Sequence, residues 1–259
     1  KGTLEDPILK QFLPLTEEET IAEGFSQDSL GETFCLKTKK LLHKYFGRVL
    51  LVCTSSCAMH CRYCFRRHFD YQVGDFSFEE ELRYISEDPT IKEVILSGGD
   101  PLSLSNVVLK NLIIKLESIP HLTKLRFHTR FPIGIPERID DEFLEIIKKC
   151  RLKVWFVLHT NHPKELDPFI FESIKKLQLS GAILLNQSVL LKGINDDAEI
   201  LIELYQLLTD HGIFPYYLHQ LDRVEGGAHF EVDETQGSDL MLKLRERLPG
   251  YAVPTYVRE

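Results

Sequence analysis

A chain of 259 residues, 43% of them hydrophobic, can bury a sizeable core without staples. Its 39 acidic against 31 basic side chains, a formal charge of -8, exclude a nucleic-acid surface covering the whole protein, although Arg62, Arg66 and Arg67 form a local basic cluster. No apolar run reaches the ~18 residues of a membrane span. Crowded cysteines without a secretory leader disfavour a disulfide framework and place the protein in a reducing cytoplasm.

Residues 1–47 read as a helical N-terminal extension. Asp6-Pro7 marks a turn, Thr16-Glu17-Glu18-Glu19 starts a helix, and Gly24 and Gly31 break the pattern. From residue 48 a β-then-α rhythm begins. Strands are expected at 48–54, 93–98, 124–129, 153–159, 182–190 and 214–221, and helices at 77–87, 106–118, 140–150, 166–179, 196–211 and 233–248. Six such units fit right-handed parallel crossovers and a partial (βα)6 TIM-like barrel over residues 48–259, where eight would complete the ring. A doubly wound open sheet is the competing α/β fold. In a barrel the chemistry belongs at the C-terminal ends of the strands, and the polar motifs fall there.

The first of them is Cys57-Ala58-Met59-His60-Cys61-Arg62-Tyr63-Cys64. Three thiolates at this spacing can hold three corners of a cubic iron-sulfur cluster and leave the fourth iron open to a ligand. Cys53 could add a fourth ligand and close the site around zinc or an electron-transfer cluster, but it ends the apolar run Val49-Leu50-Leu51-Val52 and reads as a buried strand residue. Cys35 and Cys150 are isolated thiols. Ser97-Gly98-Gly99-Asp100-Pro101 ends the second strand, its glycines leaving backbone groups open to a ligand, and His128-Thr129-Arg130 ends the third.

His159, in His159-Thr160-Asn161-His162-Pro163, and Gln187, a polar residue in an otherwise apolar strand, read as barrel-interior groups aimed at a ligand. Arg66, two residues after Cys64, can clamp a carboxylate, or balance the charge of the cluster. Arg67 suits a structural role. Asp222, after the last strand, either pairs with a cationic group or caps its own loop.

Together with Cys64-Phe65-Arg66-Arg67-His68-Phe69, Leu185-Asn186-Gln187-Ser188 and Pro215-Tyr216-Tyr217-Leu218, these motifs resemble the lysine 2,3-aminomutase family of radical S-adenosylmethionine (radical SAM) enzymes. Leu42-His43-Lys44-Tyr45, the same Cys64-Phe65-Arg66-Arg67-His68-Phe69, Leu218-His219-Gln220-Leu221-Asp222 and Gly226-Gly227-Ala228-His229-Phe230 are most similar to the branch that makes β-lysine for elongation factor P; stand-alone lysine aminomutases usually carry tyrosine where His219 stands. The resemblance implies an isomerase that moves the amino group of lysine from C2 to C3. It also implies a [4Fe-4S] cluster on Cys57, Cys61 and Cys64, with SAM bound by Ser97, Gly98, Gly99, Asp100, His159 and Gln187. Arg130 is counted with these cofactor-binding residues, and Arg48 is expected to bind the phosphate of pyridoxal phosphate (PLP).

By the same resemblance Arg66 holds the substrate carboxylate, Asp222 and Glu259 hold its side-chain ammonium, and a flavodoxin or ferredoxin supplies electrons. In that family the lysine that anchors PLP follows shortly after the position of Glu259, where these residues stop, and Lys243 does not match its motif: either a further segment carries it, the tail is lost, or the protein does not form the internal imine. A homo-oligomer is left open. An aminomutase for another amino acid, such as glutamate, and a non-catalytic iron-sulfur or zinc scaffold are the alternatives; two carboxylates at the side-chain end would repel a glutamate.

Overall fold

A computed structural model describes residues 3, 5–71 and 76–259. Its centre is a nine-stranded sheet whose spatial order follows the chain: β1 (Leu36–Thr38), β2 (Leu41–Tyr45), β3 (Arg48–Thr54), β4 (Glu93–Gly98), β5 (Lys124–Thr129), β6 (Lys153–His159), β7 (Ile183–Val189), β8 (Phe214–His219) and β9 (Thr255–Val257). From β3 to β9 every neighbouring pair is parallel. A doubly wound sheet reverses its strand order at a switch point; this one does not. The sheet is therefore an open barrel, with β1 and β9 as its edges.

The helices that cover it begin where their caps dictate. Ser105, Asp140, Asp167, Asp197 and Asp233 each accept a backbone N–H in the first turn of α3 (Asn106–Glu117), α5 (Asp141–Lys149), α6 (Pro168–Leu179), α7 (Ala198–Asp210) and α8 (Glu234–Arg247), which satisfies amides that the helix itself cannot pair; α2 (Glu79–Glu87) and the one-turn α4 (Phe131–Gly134) start without such a cap. In α5 the acids of the first turn and the lysines of the last also match the helix dipole. One face of α5 buries Phe143 and Ile147 against the sheet. There Phe127 stacks on Phe156, centroids 4.8 Å apart, and Phe143 meets both edge-on. Strands covered on both faces must be apolar throughout, which is why the runs 93–98 and 153–159 were readable.

The expected helical extension over residues 1–47 needs correction. Among the described residues its helical parts are one short helix, α1 (Pro7–Phe12), and two 3-10 turns, Thr16–Glu19 and Glu32–Cys35, while β1 and β2 form an antiparallel ribbon that continues the barrel sheet. Leu41 and Leu42 pair with Leu51 and Leu50 and are buried, so burial against β3 outweighs local preference. Gly47, at φ +76°, makes the tight turn into β3. Among the described residues no helix is long and apolar enough to cross a membrane.

Candidate active site

The C-terminal rim of the strands surrounds a cavity of about 500 Å³. Cys57, Cys61, Cys64, Arg66, His159, Gln187, Asp222 and Glu259 all line it, so residues spread over the whole length of the sheet share one space.

The cysteine loop leaves β3 and is tied down from two sides. On one side the amides of Gly99 and Asp100 donate to the carbonyls of Thr54 and Ser56, at 2.7 and 2.8 Å. A Cβ on Gly99 would lie 2.4 Å from the Ser56 carbonyl oxygen, so close contact with the loop demands glycine there. These two amides therefore fasten the loop instead of staying open to a ligand, which corrects the sequence reading for the amides, while Ser97, Gly98 and Gly99 line the cavity. The Asp100 carboxylate is likewise internal: it caps Leu102 and accepts from the Thr129 hydroxyl and the Arg130 amide.

On the other side Glu18 receives Arg62 and Arg67. Burial pushes the Glu18 carboxyl up, but these two guanidiniums and the Leu15 amide outweigh it and hold the group at about 2. Arg67 has the structural role expected of it.

Arg130 lines the cavity and reaches the loop itself. Its Nη1 lies 3.4 Å from Cys61 Sγ and donates to the Tyr63 hydroxyl, while Nη2 meets Gln11 Oε1 at 2.9 Å and the Glu165 carboxylate. Glu165 also accepts from Gln11 and from the amides of Asn161 and His162. This knot braces the cysteine loop against the residues that follow β6. His162 caps its own 3-10 turn through Nδ1, a hydrogen-bonding role and not a metal-binding one.

The three loop cysteines are free thiols beside the cavity. Burial, then Asp100 and the neighbouring thiols, pushes Cys57 up to about 12, a preference for the neutral thiol that bound iron reverses. Among the described residues no three His, Cys, Asp or Glu side chains converge on a point for a single metal ion. A cubic cluster places its irons at separate corners and suits such a spread loop. Cys53 is excluded from the site: it is fully buried, its thiol donates to the Leu51 carbonyl at 3.5 Å, and burial pushes it up to about 12.

His159 and Gln187 sit side by side in register on β6 and β7 and both face the cavity. Burial, with Arg130 next, keeps His159 neutral, and its Nε2 lies 3.4 Å from the Tyr63 hydroxyl. His128, in the motif expected at the end of the third strand, was given no role of its own. It too lines the cavity, and its buried Nε2 has no hydrogen-bond partner among the described residues. Arg48 stacks on Tyr45, 4.5 Å to the ring centroid, and has no carboxylate partner among the described residues, so an anionic group such as a phosphate fits beside it.

At the far end of the sheet the charges are less well matched. The Asp222 carboxylate accepts no hydrogen bond from any described residue, so it does not cap its loop. Burial, then Glu259 and Glu32, pushes it up to about 7. Glu259 accepts from Lys44 Nζ at 3.2 Å and from the Tyr45 hydroxyl at 3.3 Å. Arg66, 5% exposed, does not stand free: its Nε and Nη2 grip both oxygens of Glu32 at 2.7 and 2.6 Å, and Nη1 donates to Ser97 Oγ at 3.0 Å.

A three-cysteine loop on the C-terminal rim of an open parallel barrel defines the radical SAM class, and the model of the Radical SAM superfamily matches residues 51–205. The L-lysine 2,3-aminomutases of Haemophilus influenzae and Escherichia coli are 45% and 43% identical to this chain over its whole length, covering 78% and 76% of their own. That of Bacillus subtilis is 37% identical over 97% of this chain and 54% of its own. A radical SAM methyltransferase from Sphaerobacter thermophilus superposes with a TM-score of 0.57 over 84% of this chain and 68% of its own, at 16% identity, a likeness of fold. The chain belongs to the lysine 2,3-aminomutase family of radical SAM isomerases.

Proposed function

We propose that this protein converts L-lysine to β-lysine by 2,3-migration of its amino group, using a [4Fe-4S] cluster, SAM and PLP, and that the product serves elongation factor P modification. The observation that carries the reading is Asp222: a half-buried carboxylate with no hydrogen-bond partner among the described residues, crowded by Glu259 and Glu32, in the same cavity as the cysteine loop. An amino acid with a cationic side chain relieves that crowding, whereas glutamate would worsen it. The relatives' names point to lysine as well. The elongation factor P setting rests on the motifs around Lys44, His68, His219 and His229 alone.

When bound, cluster and SAM supply the radical that abstracts a substrate hydrogen, and PLP supplies the conjugated system that supports nitrogen migration. The chain's own residues hold and orient. Cys57, Cys61 and Cys64 ligate, and the Arg130 knot keeps their loop in place. His159 and Gln187 offer neutral hydrogen-bonding groups to SAM at the strand ends. Arg48 takes the phosphate of PLP, Arg66 the substrate carboxylate, and Asp222 with Glu259 the side-chain ammonium. With substrate anchored at both ends, only its middle carbons are free to meet the radical. A flavodoxin or ferredoxin is the reductant.

The test is an anaerobic assay of the iron-reconstituted protein with dithionite, SAM, PLP and L-lysine, with a chain extended beyond Glu259 alongside. Formation of both 5'-deoxyadenosine and β-lysine is expected, at least from the extended chain. Full iron loading without SAM cleavage or β-lysine in either would sink the reading in favour of a scaffold.

A further inference from the structure

Glu32 was not readable as a site residue, yet its carboxylate occupies half of the guanidinium expected to receive the substrate. Its delivery is built in. Gly31 takes a left-handed φ of +62°, and the Asp28 carboxylate accepts the amides of Glu32 and Thr33 at 2.8 and 3.1 Å, which shapes the 3-10 turn that carries Glu32. The same segment is stitched to the loop just after Asp222: Ser26 donates to the Arg223 carbonyl at 2.9 Å and accepts from the Glu225 amide at 3.0 Å.

A guanidinium has five N–H donors. Glu32 takes two of those on Arg66 and Ser97 a third. Two remain, one on each terminal nitrogen, in a side chain that lines the cavity and whose face is stacked 4.7 Å from the Phe65 ring centroid. Glu32 also cancels the Arg66 charge, so the cation is not left unpaired in a buried site when substrate is absent.

We propose that Glu32 is a positioning residue for substrate: it fixes the plane of Arg66 so that the two remaining donors receive the α-carboxylate of the amino acid. This rests on the lysine reading above. A carboxylate then meets a neutralised but oriented fork, and selection at that end comes from geometry more than from net charge.

The test uses the cluster-reconstituted enzyme with SAM and PLP, and compares wild type with Glu32→Gln and Glu32→Asp. KM and kcat for L-lysine are measured beside the inhibition constant of 1,5-diaminopentane, which is lysine without its carboxylate. Glu32→Gln is expected to raise the lysine KM by roughly tenfold or more, to leave the diaminopentane constant within about twofold, and to leave SAM affinity unchanged. Glu32→Asp, which keeps the charge, is expected to recover part of the loss; should the Gln variant fail to fold, it carries the same comparison. Equal losses for lysine and diaminopentane would place Glu32 at the ammonium end and overturn the proposal. A lower lysine KM would make Glu32 a competitor for the fork, and an unchanged one would make it irrelevant; either overturns it. If wild type neither binds nor turns over lysine, the underlying reading fails first and the proposal with it.

Discussion

The two ends of the cavity are built on opposite electrostatic plans. At the cysteine loop, Arg62, Arg67 and Arg130 each have a carboxylate partner, Glu18 or Glu165, and the knot around Arg130 bonds Gln11, Tyr63 and Asn161 as well. At the other end Asp222 is half-buried with no hydrogen-bond partner among the described residues, and its strongest neighbours are two more carboxylates. A folded chain can carry such a penalty where a ligand relieves it. At the first end each of these guanidiniums meets a carboxylate; at the second, Lys44 and Arg66 pair with Glu259 and Glu32, and Asp222 is left without a cation of its own among the described residues.

Stability should separate them. Glu165→Ala removes one partner of a buried ion pair and leaves Arg130 uncompensated beside the cysteine loop, at a cost of about 3–5 kcal/mol. Denaturant unfolding of the unloaded protein measures this, and a loss below about 1 kcal/mol would mean the knot is dispensable.

Asp222→Asn should do the reverse. The folded Asp222 titrates near 7, above the usual carboxylate range. Between about pH 4 and pH 7 the folded state therefore holds a proton that the unfolded chain has released, and the wild type loses stability as pH rises through that window. The asparagine variant lacks this titration. Its melting temperature should exceed wild type at pH 8 and match it more closely at pH 5, and a difference that shrinks on raising the pH would contradict the assignment.

Cys53→Ala is expected to have the smallest effect on the site. It removes a fully buried sulfur from β3 and so weakens the core by roughly 1 kcal/mol or more, while the cluster absorbance after iron reconstitution is retained. Loss of that absorbance would restore Cys53 to the ligand set.

The barrel was legible because its parallel strands are buried on both faces and so announce themselves as apolar runs. The cysteine loop was legible because close spacing along the chain decides which thiols can share a cluster. The extension was not. Leu41 and Leu42 become strand only by pairing with residues in β3, and the acids at 17–19 sit in a single 3-10 turn from which Glu18 meets Arg62 and Arg67. Glu32 and Gln11 carried no signal either, since Arg66 lies 34 positions from the first and Glu165 154 from the second. Their residue types are ordinary on a surface. Asp222 was found, but only the structure separates a carboxylate facing the cavity from one capping a turn.

The most direct measurement is the affinity of the loaded enzyme for L-lysine relative to L-norleucine, which lacks the side-chain ammonium, between pH 6 and pH 8.5, in wild type and Asp222→Asn. Wild type should prefer lysine by roughly tenfold or more, the preference should grow as pH rises through about 7 and Asp222 ionises, and the variant should lose both the preference and its pH dependence. Equal preference in the two proteins, flat across pH, would show that the unpaired carboxylate is not there for a cation.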